Sequence, residues 1–162
     1  MSTVLTEPIY HVELIDGREI EKPLPKRFHA RVQQRIQMEL QKQIGNHLLE
    51  VLPALNVRCG EDRPVPDIVV ASQNAHYDAD DLIEGAYLAT EVLSPGQTIG
   101  FLFDKADRMV RTGTKCCWII WPARKQAWIY TADLLKEVHD VLMADGLVPL
   151  RIECSQLFAG LE

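Results

Sequence analysis

Residues 88–105, LATEVLSPGQTIGFLFDK, contain the strand and helix that decide the fold. The opening LATEVL is short, mostly apolar and rich in β-forming residues, which predicts a buried strand with Glu91 in its middle. Ser94-Pro95-Gly96 ends that strand, and apolar positions then recur at helical spacing, which predicts a helix over residues 98–112. A strand followed directly by an amphipathic helix is typical of layered α/β domains.

Further strands are predicted on both sides of this unit. VPDIVVA at 65–71 is a short β-rich run bounded by turn-forming residues, and CCWIIWP at 116–122 and QAWIYTA at 126–132 follow the helix. LVPLRIEC at 147–154 predicts a last strand. DLLKEVHDVL, within residues 133–143, fits a helical pattern as well as a strand, so its structure stays open.

The N-terminal part predicts a hairpin and a helix. Alternating apolar positions in IYHVEL (9–14) and the strand-like REIEK (18–22) flank the turn-forming Asp16-Gly17, which indicates a β-hairpin. Apolar residues recur at helical spacing over 28–44, and a single strand is expected near Asn56–Cys59. Together, the elements predict an α/β fold with a mixed central sheet flanked by helices and an N-terminal β-hairpin.

Length and charge limit the classes of protein. A chain of 162 residues with 47% hydrophobic residues is expected to form one domain over residues 1–162. Its net charge of −6, from 23 acidic and 17 basic side chains, argues against a surface that attracts nucleic acid everywhere. Local basic clusters remain, and either could be a solvated helix face: Lys22, Lys26, Arg27, Arg31 and Arg35, then Lys105, Arg108, Arg111 and Lys115.

The sequence predicts a cytoplasmic protein that does not enter a membrane. No apolar run approaches the roughly 20 residues of a membrane span. The opening MSTVLTEPIY also lacks the features of a signal peptide.

The four cysteines predict buried, reduced thiols. Cys59, Cys116, Cys117 and Cys154 form no CxxC pair, and adjacent residues of a strand point to opposite faces. That spacing suits neither a zinc site nor a disulfide framework.

Two carboxylates are placed where a cation could bind. Asp67 lies at the mouth of the VPDIVVA strand, and Glu91 lies inside its own strand. Because a buried carboxylate is costly unless it is paired or bound to a cation, neighbouring strands could bring both to one Mg²⁺ ion. Such an ion can activate water and neutralise charge on a phosphate. The alternative is a strand cap and a surface charge without chemistry.

The ordered motifs resemble one protein family. The sequence ELIDGREIEKPLP is followed by VPDIVVA, ATEVLSP, DKADRMVRTGT and CWIIWPARKQAWIY. This set is similar to the Uma-two family of restriction endonucleases in the PD-(D/E)XK nuclease superfamily. The resemblance implies a single PD-(D/E)XK nuclease-like domain with Asp67 and Glu91 as metal ligands, Mg²⁺ or Mn²⁺ as cofactor, and DNA as substrate. Because cutting both strands commonly takes two sites, a homodimer is expected.

The superfamily pattern E-x-K is altered in this chain. The pattern would put lysine at position 93, where the chain has Leu93. Related members carry the lysine on the following helix, and the matching residue is Lys105. A lysine side chain is long enough for Lys105 to serve the same space from the helix, with its amine directed at Asp67 and Glu91. The resemblance therefore implies that Asp67, Glu91 and Lys105 are the catalytic residues, with the lysine holding the attacking water or stabilising the phosphate.

Other residues of the resembling segments have both a functional and a structural interpretation. His29, at the start of the first helix, could meet a phosphate, and a solvated position is the alternative. Glu21 could be an outer metal ligand or a charge at the hairpin edge. Trp118, Trp121 and Trp128 fit sheet packing better than base stacking.

Two rival functions stay open at this point. The first is a catalytically silent nuclease-fold domain that acts as a nucleic-acid-binding or assembly module. The second is a structural protein whose acids are surface charges. Metal binding would separate the structural protein from the others, and turnover would separate the enzyme from the binding module.

Overall fold

The computed structural model describes residues 12–45 and 48–161 as strands and helices in an α/β arrangement. None of the helices in those ranges is long and apolar enough to cross a membrane. In chain order the elements are β1 (Val12–Ile15), β2 (Arg18–Glu21), α1 (Arg27–Ile44), β3 (Leu49–Pro53), β4 (Ile68–Ser72), β5 (Leu88–Val92), α2 (Ile99–Arg111), β6 (Cys117–Trp121), a 3-10 turn (Pro122–Arg124), β7 (Gln126–Tyr130), β8 (Leu135–Val138), β9 (Val141–Ala144), β10 (Leu150–Glu153) and α3 (Cys154–Leu157).

A six-stranded mixed sheet in the order β3-β4-β5-β6-β7-β8 forms the centre. The neighbours are antiparallel except β5 and β6, which run parallel and are joined by α2. A parallel pair needs such a crossover, and a helix supplies it. The predicted fold class, a mixed sheet flanked by helices, is confirmed.

Each face of the sheet packs against one long helix. The apolar stripe of α1, including Val32 and Ile36, packs with Val92 and Trp118 on one face. On the other face α2 packs Leu102, Ala106 and Met109 against alternate residues of the same strands. Because side chains alternate along a strand, β5 and β6 contribute to both cores. Thr98 caps α2 by accepting a hydrogen bond from Phe101 N at 3.2 Å.

The N-terminal hairpin is a separate two-stranded sheet of β1 and β2. Its turn has positive φ at both Asp16 (53°) and Gly17 (75°), the conformation that Asp-Gly turns adopt in tight hairpins. The predicted hairpin is confirmed over residues 12–21, and residues 9–11 of its predicted first strand lie outside the described residues. A bridge from Leu14 to Arg63 joins β1 to the rest of the structure.

The strand predicted near Asn56–Cys59 is wrong. The strand in this region is β3, Leu49–Pro53, which pairs with β4 at the edge of the sheet. Val57 and Cys59 make only isolated bridges. A proline ends β3 and Glu50 is exposed within it, so the segment lacks a continuous apolar pattern.

Residues 133–143 contain strands rather than a helix. Leu135–Val138 is β8 at the other sheet edge, and β9 pairs antiparallel with β10 in a second small sheet. The predicted last strand corresponds to β10.

All four cysteines are free and buried. Cys117 begins β6, whereas Cys116 precedes it, so only one of the two lies within the strand where both were predicted. The two belong to opposite cores, as expected for adjacent extended residues. Burial raises the pKa of Cys116 to about 12, which keeps this thiol protonated at neutral pH.

Arg108 of α2 ties the hairpin turn to the body of the protein. Its Nη1 donates to Asp16 Oδ1 and to Asp62 Oδ2, both at 2.7 Å. Its Nε donates to Asp104 Oδ2 at 2.8 Å. Because the guanidinium donates to three carboxylates, the pKa of Arg108 is raised. Arg108 therefore joins three segments of the chain.

Arg108→Ala is expected to lower the free energy of unfolding by about 1–2 kcal/mol after allowing for solvent screening. The matched control is Arg111→Ala on the same helix, where Arg111 pairs with Asp107 at 2.5 Å and is 69% exposed. That control should cost less than about 0.5 kcal/mol. Urea unfolding of both variants measures the difference, and equal losses would contradict the role assigned to Arg108.

Candidate active site

Asp67 and Glu91 lie on one face of neighbouring strands. Ile68 of β4 pairs with Thr90 of β5, so one step further along the antiparallel register brings Asp67 beside Glu91. Opposed residues of antiparallel strands share a face. Asp67 Oδ2 also accepts a hydrogen bond from Val92 N at 2.7 Å, which fixes its orientation. Both residues are buried, and the structure brings together the two acids singled out in the sequence.

The ammonium group of Lys22 lies between these carboxylates. Its Nζ is 2.8 Å from Asp67 Oδ1 and 3.7 Å from Glu91 Oε1, and it donates to Val65 O at 2.5 Å. Lys22 directly follows β2, so the hairpin delivers this charge to the central sheet. Burial alone would lower the pKa of Lys22, but the nearby charges of Glu91 and Asp67 outweigh it and raise the pKa. Lys22 is therefore a buried, charged partner of both acids.

Lys105 of α2 lies on the inner side of Glu91. Its Nζ is 2.5 Å from both Glu91 Oε2 and Glu13 Oε1, and the residue is 0% exposed. Both contacts are buried ion pairs. Glu13 Oε1 also accepts a hydrogen bond from Val65 N at 2.8 Å. The amine of Lys105 is thus directed at Glu91, with Glu13 as its second partner.

The cluster contains three carboxylates and two ammonium groups within a buried space. They belong to Glu13, Asp67, Glu91, Lys22 and Lys105. Burial raises the pKa of Asp67, but the charge of Lys22 and a hydrogen bond from His29 outweigh it, so the net pKa is lowered. Burial raises the pKa of Glu91 to about 7 against the opposing effect of Lys105 and Lys22. The cluster therefore places three carboxyl groups beside two ammonium groups, and Glu91 is partly protonated at neutral pH.

His29 and Glu21 have different environments. His29 is buried in the first turn of α1, and its Nε2 lies 3.3 Å from Asp67 Oδ2. Its Nδ1 is buried without a hydrogen-bond partner among the described residues. Glu21 is exposed at the end of β2. The next residue, Lys22, belongs to the cluster.

Glu13 and Lys22 were not among the site residues predicted from the sequence. The apolar alternation in β1 places Val12 and Leu14 on one face, but the structure buries the other face, with Glu13 and Ile15. Ile15 could have indicated that Glu13 is buried, because the two residues lie on the same face of the strand. Lys22 carried no comparable local signal, since the hairpin's position on the sheet is a tertiary feature.

The donor set for a metal ion is small. Among the residues that the structure describes, no group of three or more histidine, cysteine, aspartate or glutamate side chains is arranged to hold a metal ion. Any ion bound here would rely on Asp67 and Glu91, with water completing its shell.

Comparisons with known proteins identify similar chains. The sequence profile of the Uma2 family, described as "Putative restriction endonuclease", matches residues 3–154. A solved structure from Anabaena variabilis ATCC 29413, described as a "putative nuclease belonging to DUF820", is 21% identical with a TM-score of 0.83. That match covers 98% of this chain and 95% of the other, and at this identity it supports the fold. Among curated proteins, none matches this sequence.

Proposed function

The chain belongs to the Uma2 family, and from this premise we propose that it is a metal-dependent endonuclease that hydrolyses phosphodiester bonds in DNA. One observation carries the proposal. Asp67 and Glu91 face the same point from adjacent strands, and a cationic group, the Lys22 ammonium, already lies between them.

The residues present fit a divalent ion once Lys22 moves aside. The Lys22 ammonium shows that the space between the two carboxylates accommodates a positive charge. Mg²⁺ or Mn²⁺ prefers such oxygen donors and keeps part of its water shell. When bound, the ion would lower the pKa of a bound water and neutralise charge on the phosphate. Asp67 and Glu91 would hold it.

The surrounding residues orient these carboxylates. The Val92 N–H fixes Asp67 Oδ2, and His29 Nε2 lies against the same oxygen. The Lys105 ammonium fixes Glu91 from the inner side. Because these partners are buried, the carboxylates keep their positions before substrate arrives, and little reorganisation remains for the reaction.

The burial of Lys105 supports a role different from the one expected from the sequence. The sequence predicted a lysine that holds the attacking water or stabilises the phosphate. Lys105 is 0% exposed and lies between Glu13 and Glu91, which favours a role in holding Glu91 over direct contact with the substrate. We assign Lys105 to positioning, since it holds Glu91 and balances its charge.

Cleavage of labelled DNA in the presence and absence of Mg²⁺ or Mn²⁺ tests the proposed function. We expect endonucleolytic products that disappear on addition of EDTA. Metal binding without cleavage of any DNA or RNA form would favour the binding or assembly module instead. Neither metal binding nor cleavage would favour a structural protein and overturn the proposal.

Lys22→Met is expected to raise Mn²⁺ affinity at least about tenfold, because the competing ammonium is removed and the cluster becomes more negative. The variant should be less stable in EDTA, since Asp67 loses a partner, and its melting temperature should rise more than that of the wild type on addition of Mn²⁺. Isothermal titration calorimetry and thermal unfolding measure both effects.

The control for this substitution is Lys136→Met, which removes the same charge from an exposed position in β8. It should leave Mn²⁺ affinity within about twofold of wild type, since a distant exposed charge is screened by solvent. Equal or weaker Mn²⁺ binding by the Lys22 variant would show that the ammonium does not compete with the ion.

A further inference from the structure

A cavity of about 500 Å³ lies next to the carboxylate cluster. Leu93 and Ser94, which follow β5, and Trp121 at the end of β6 form part of its wall. Because β5 and β6 are parallel, their carboxyl ends meet at this edge of the sheet, where α/β proteins commonly bind ligands. His29 lines the cavity and also contacts Asp67, so the cavity adjoins the candidate active site.

The wall combines aromatic rings with positive charge. Trp121 and Phe28 line the cavity and both are half-buried. The Arg124 guanidinium lies 4.7 Å from the centre of the Trp121 ring, and that of Arg27 lies 5.5 Å from the centre of the Phe28 ring. In each pair the guanidinium lies over the ring, and guanidinium planes and aromatic rings are both surfaces on which unpaired bases stack. The chain has a net charge of −6, but these arginines make the region around the cavity locally positive, which favours an anionic ligand.

The start of α1 supplies a place for a phosphate at the same cavity. Lys26 occupies the N-cap without a side-chain cap hydrogen bond, and the first turn holds no acidic residue. The first turn of a helix usually has a capping side-chain oxygen or an acidic residue. Because α1 has neither, its free backbone N–H groups are suited to bind an external anion. A second observation points the same way, because His29 lines the cavity, is 6% exposed and has an Nδ1 without a partner in the described part of the chain.

We infer that this cavity binds one nucleotide of an unpaired strand, with the base against the aromatic wall and the phosphate at the start of α1. The inference deepens the proposed function and rests on it. A cavity of about 500 Å³ suits a single nucleotide. A base can enter it only after leaving a duplex stack, which costs least in single-stranded substrate. The substrate class is therefore single-stranded nucleic acid, or duplex with a frayed or flapped end.

Fluorescence anisotropy with a labelled single strand and the matching blunt duplex, in EDTA to prevent cleavage, tests the inference. We expect the single strand to bind at least about tenfold more tightly than the duplex. Trp121→Ala should weaken single-strand binding by about 10- to 100-fold through loss of stacking.

Lys26→Glu gives a test that does not depend on removing a large side chain. Lys26 is exposed, and an acid at the helix start favours the helix, so the variant should stay folded. It should nevertheless lose at least about tenfold in single-strand affinity, because the carboxylate repels the phosphate. Lys42→Glu, at the exposed C-terminal end of α1, makes the same charge change away from the cavity and should lose less than about threefold.

Binding and cleavage are measured separately, so the nucleotide site and the proposed catalysis can fail independently. Equal losses for the Lys26 and Lys42 variants, or a duplex that binds as tightly as the single strand, would overturn the inference even if the enzyme cleaves DNA. Absence of nucleic-acid binding by the wild type would overturn it as well. Absence of cleavage with any metal, combined with the expected binding pattern, would remove the proposed catalysis and leave the nucleotide site standing.

Discussion

Lys105→Met is expected to lower the free energy of unfolding by about 3–5 kcal/mol at neutral pH, a large share of the total stability of a domain. Glu13 and Glu91 are 0% and 1% exposed, and they would then be buried without the ammonium group that pairs with both. Turnover should also fall by about two to three orders of magnitude, since Glu91 loses the contact that holds it. Chemical denaturation and steady-state cleavage measure the two effects.

The double variant Glu13→Gln with Lys105→Met shows whether buried charge causes the loss. The introduced glutamine side chain would keep an oxygen for the Val65 N–H while removing one negative charge. The double variant should therefore be more stable than Lys105→Met alone, with a coupling of about 1–3 kcal/mol between the two sites. Additive losses would mean that the ion pair is not the source of the effect.

Asp67→Asn is expected to abolish divalent-metal binding and to reduce turnover at least about 10³-fold. Removing one of two carboxylate ligands takes away charge stabilisation of several kcal/mol, and each 1.4 kcal/mol is about a factor of ten. Asparagine retains an oxygen that can accept from Val92 N, so the local fold should persist. Calorimetry with Mg²⁺ and Mn²⁺ and a cleavage assay give the measurements.

An exposed aspartate supplies the control for this substitution. Asp133→Asn, in the loop between β7 and β8, removes the same charge away from the cluster and should leave metal affinity and turnover unchanged within about twofold. Wild-type Mn²⁺ affinity in the Asp67 variant would refute its assignment as a ligand. Wild-type turnover would refute the proposed site as a whole.

The elements with a clear local pattern could be predicted from the sequence. In α1 the buried residues Val32, Ile36 and Leu40 repeat at helical spacing, so the sequence alone defines the helix and its buried face. Strand β5 is buried along its whole length and is bounded by glycine- and proline-containing turns. Local propensity and tertiary burial agree in these elements, which makes them predictable.

The strands at the sheet edges were harder to predict, because pairing with a neighbouring strand determines their structure more than their own sequence pattern does. Strand β3 contains exposed Glu50 and ends at Pro53, and its partner β4 supplies the pairing. Strand β8 carries exposed residues and is a strand because β7 lies beside it. A strand of this kind has no one-sided apolar pattern to recognise, so single-sequence reasoning cannot separate it from a loop or a helix.

The candidate site was predictable only in part. Asp67 and Glu91 were singled out by their positions in predicted strands, and Lys105 followed only from the resemblance to the family. Glu13 and Lys22 reach the same point from the hairpin, and Lys22 and Asp67 are 45 residues apart in sequence. Their participation depends on where the hairpin lies against the sheet, which no local pattern specifies.

The attachment of the hairpin to the rest of the chain determines how the carboxylate cluster loses its structure on heating. Strands β1 and β2 pair with each other, and the hairpin is joined to the rest of the chain by one bridge, by hydrogen bonds such as Val65 N to Glu13, by buried ion pairs and by Arg108. Because this two-stranded sheet is separate from the central sheet, we expect it to open in a partial reaction that costs less than global unfolding. Glu13 and Lys22 would leave with it, so we expect the proposed cleavage activity to be lost on heating before the central sheet melts.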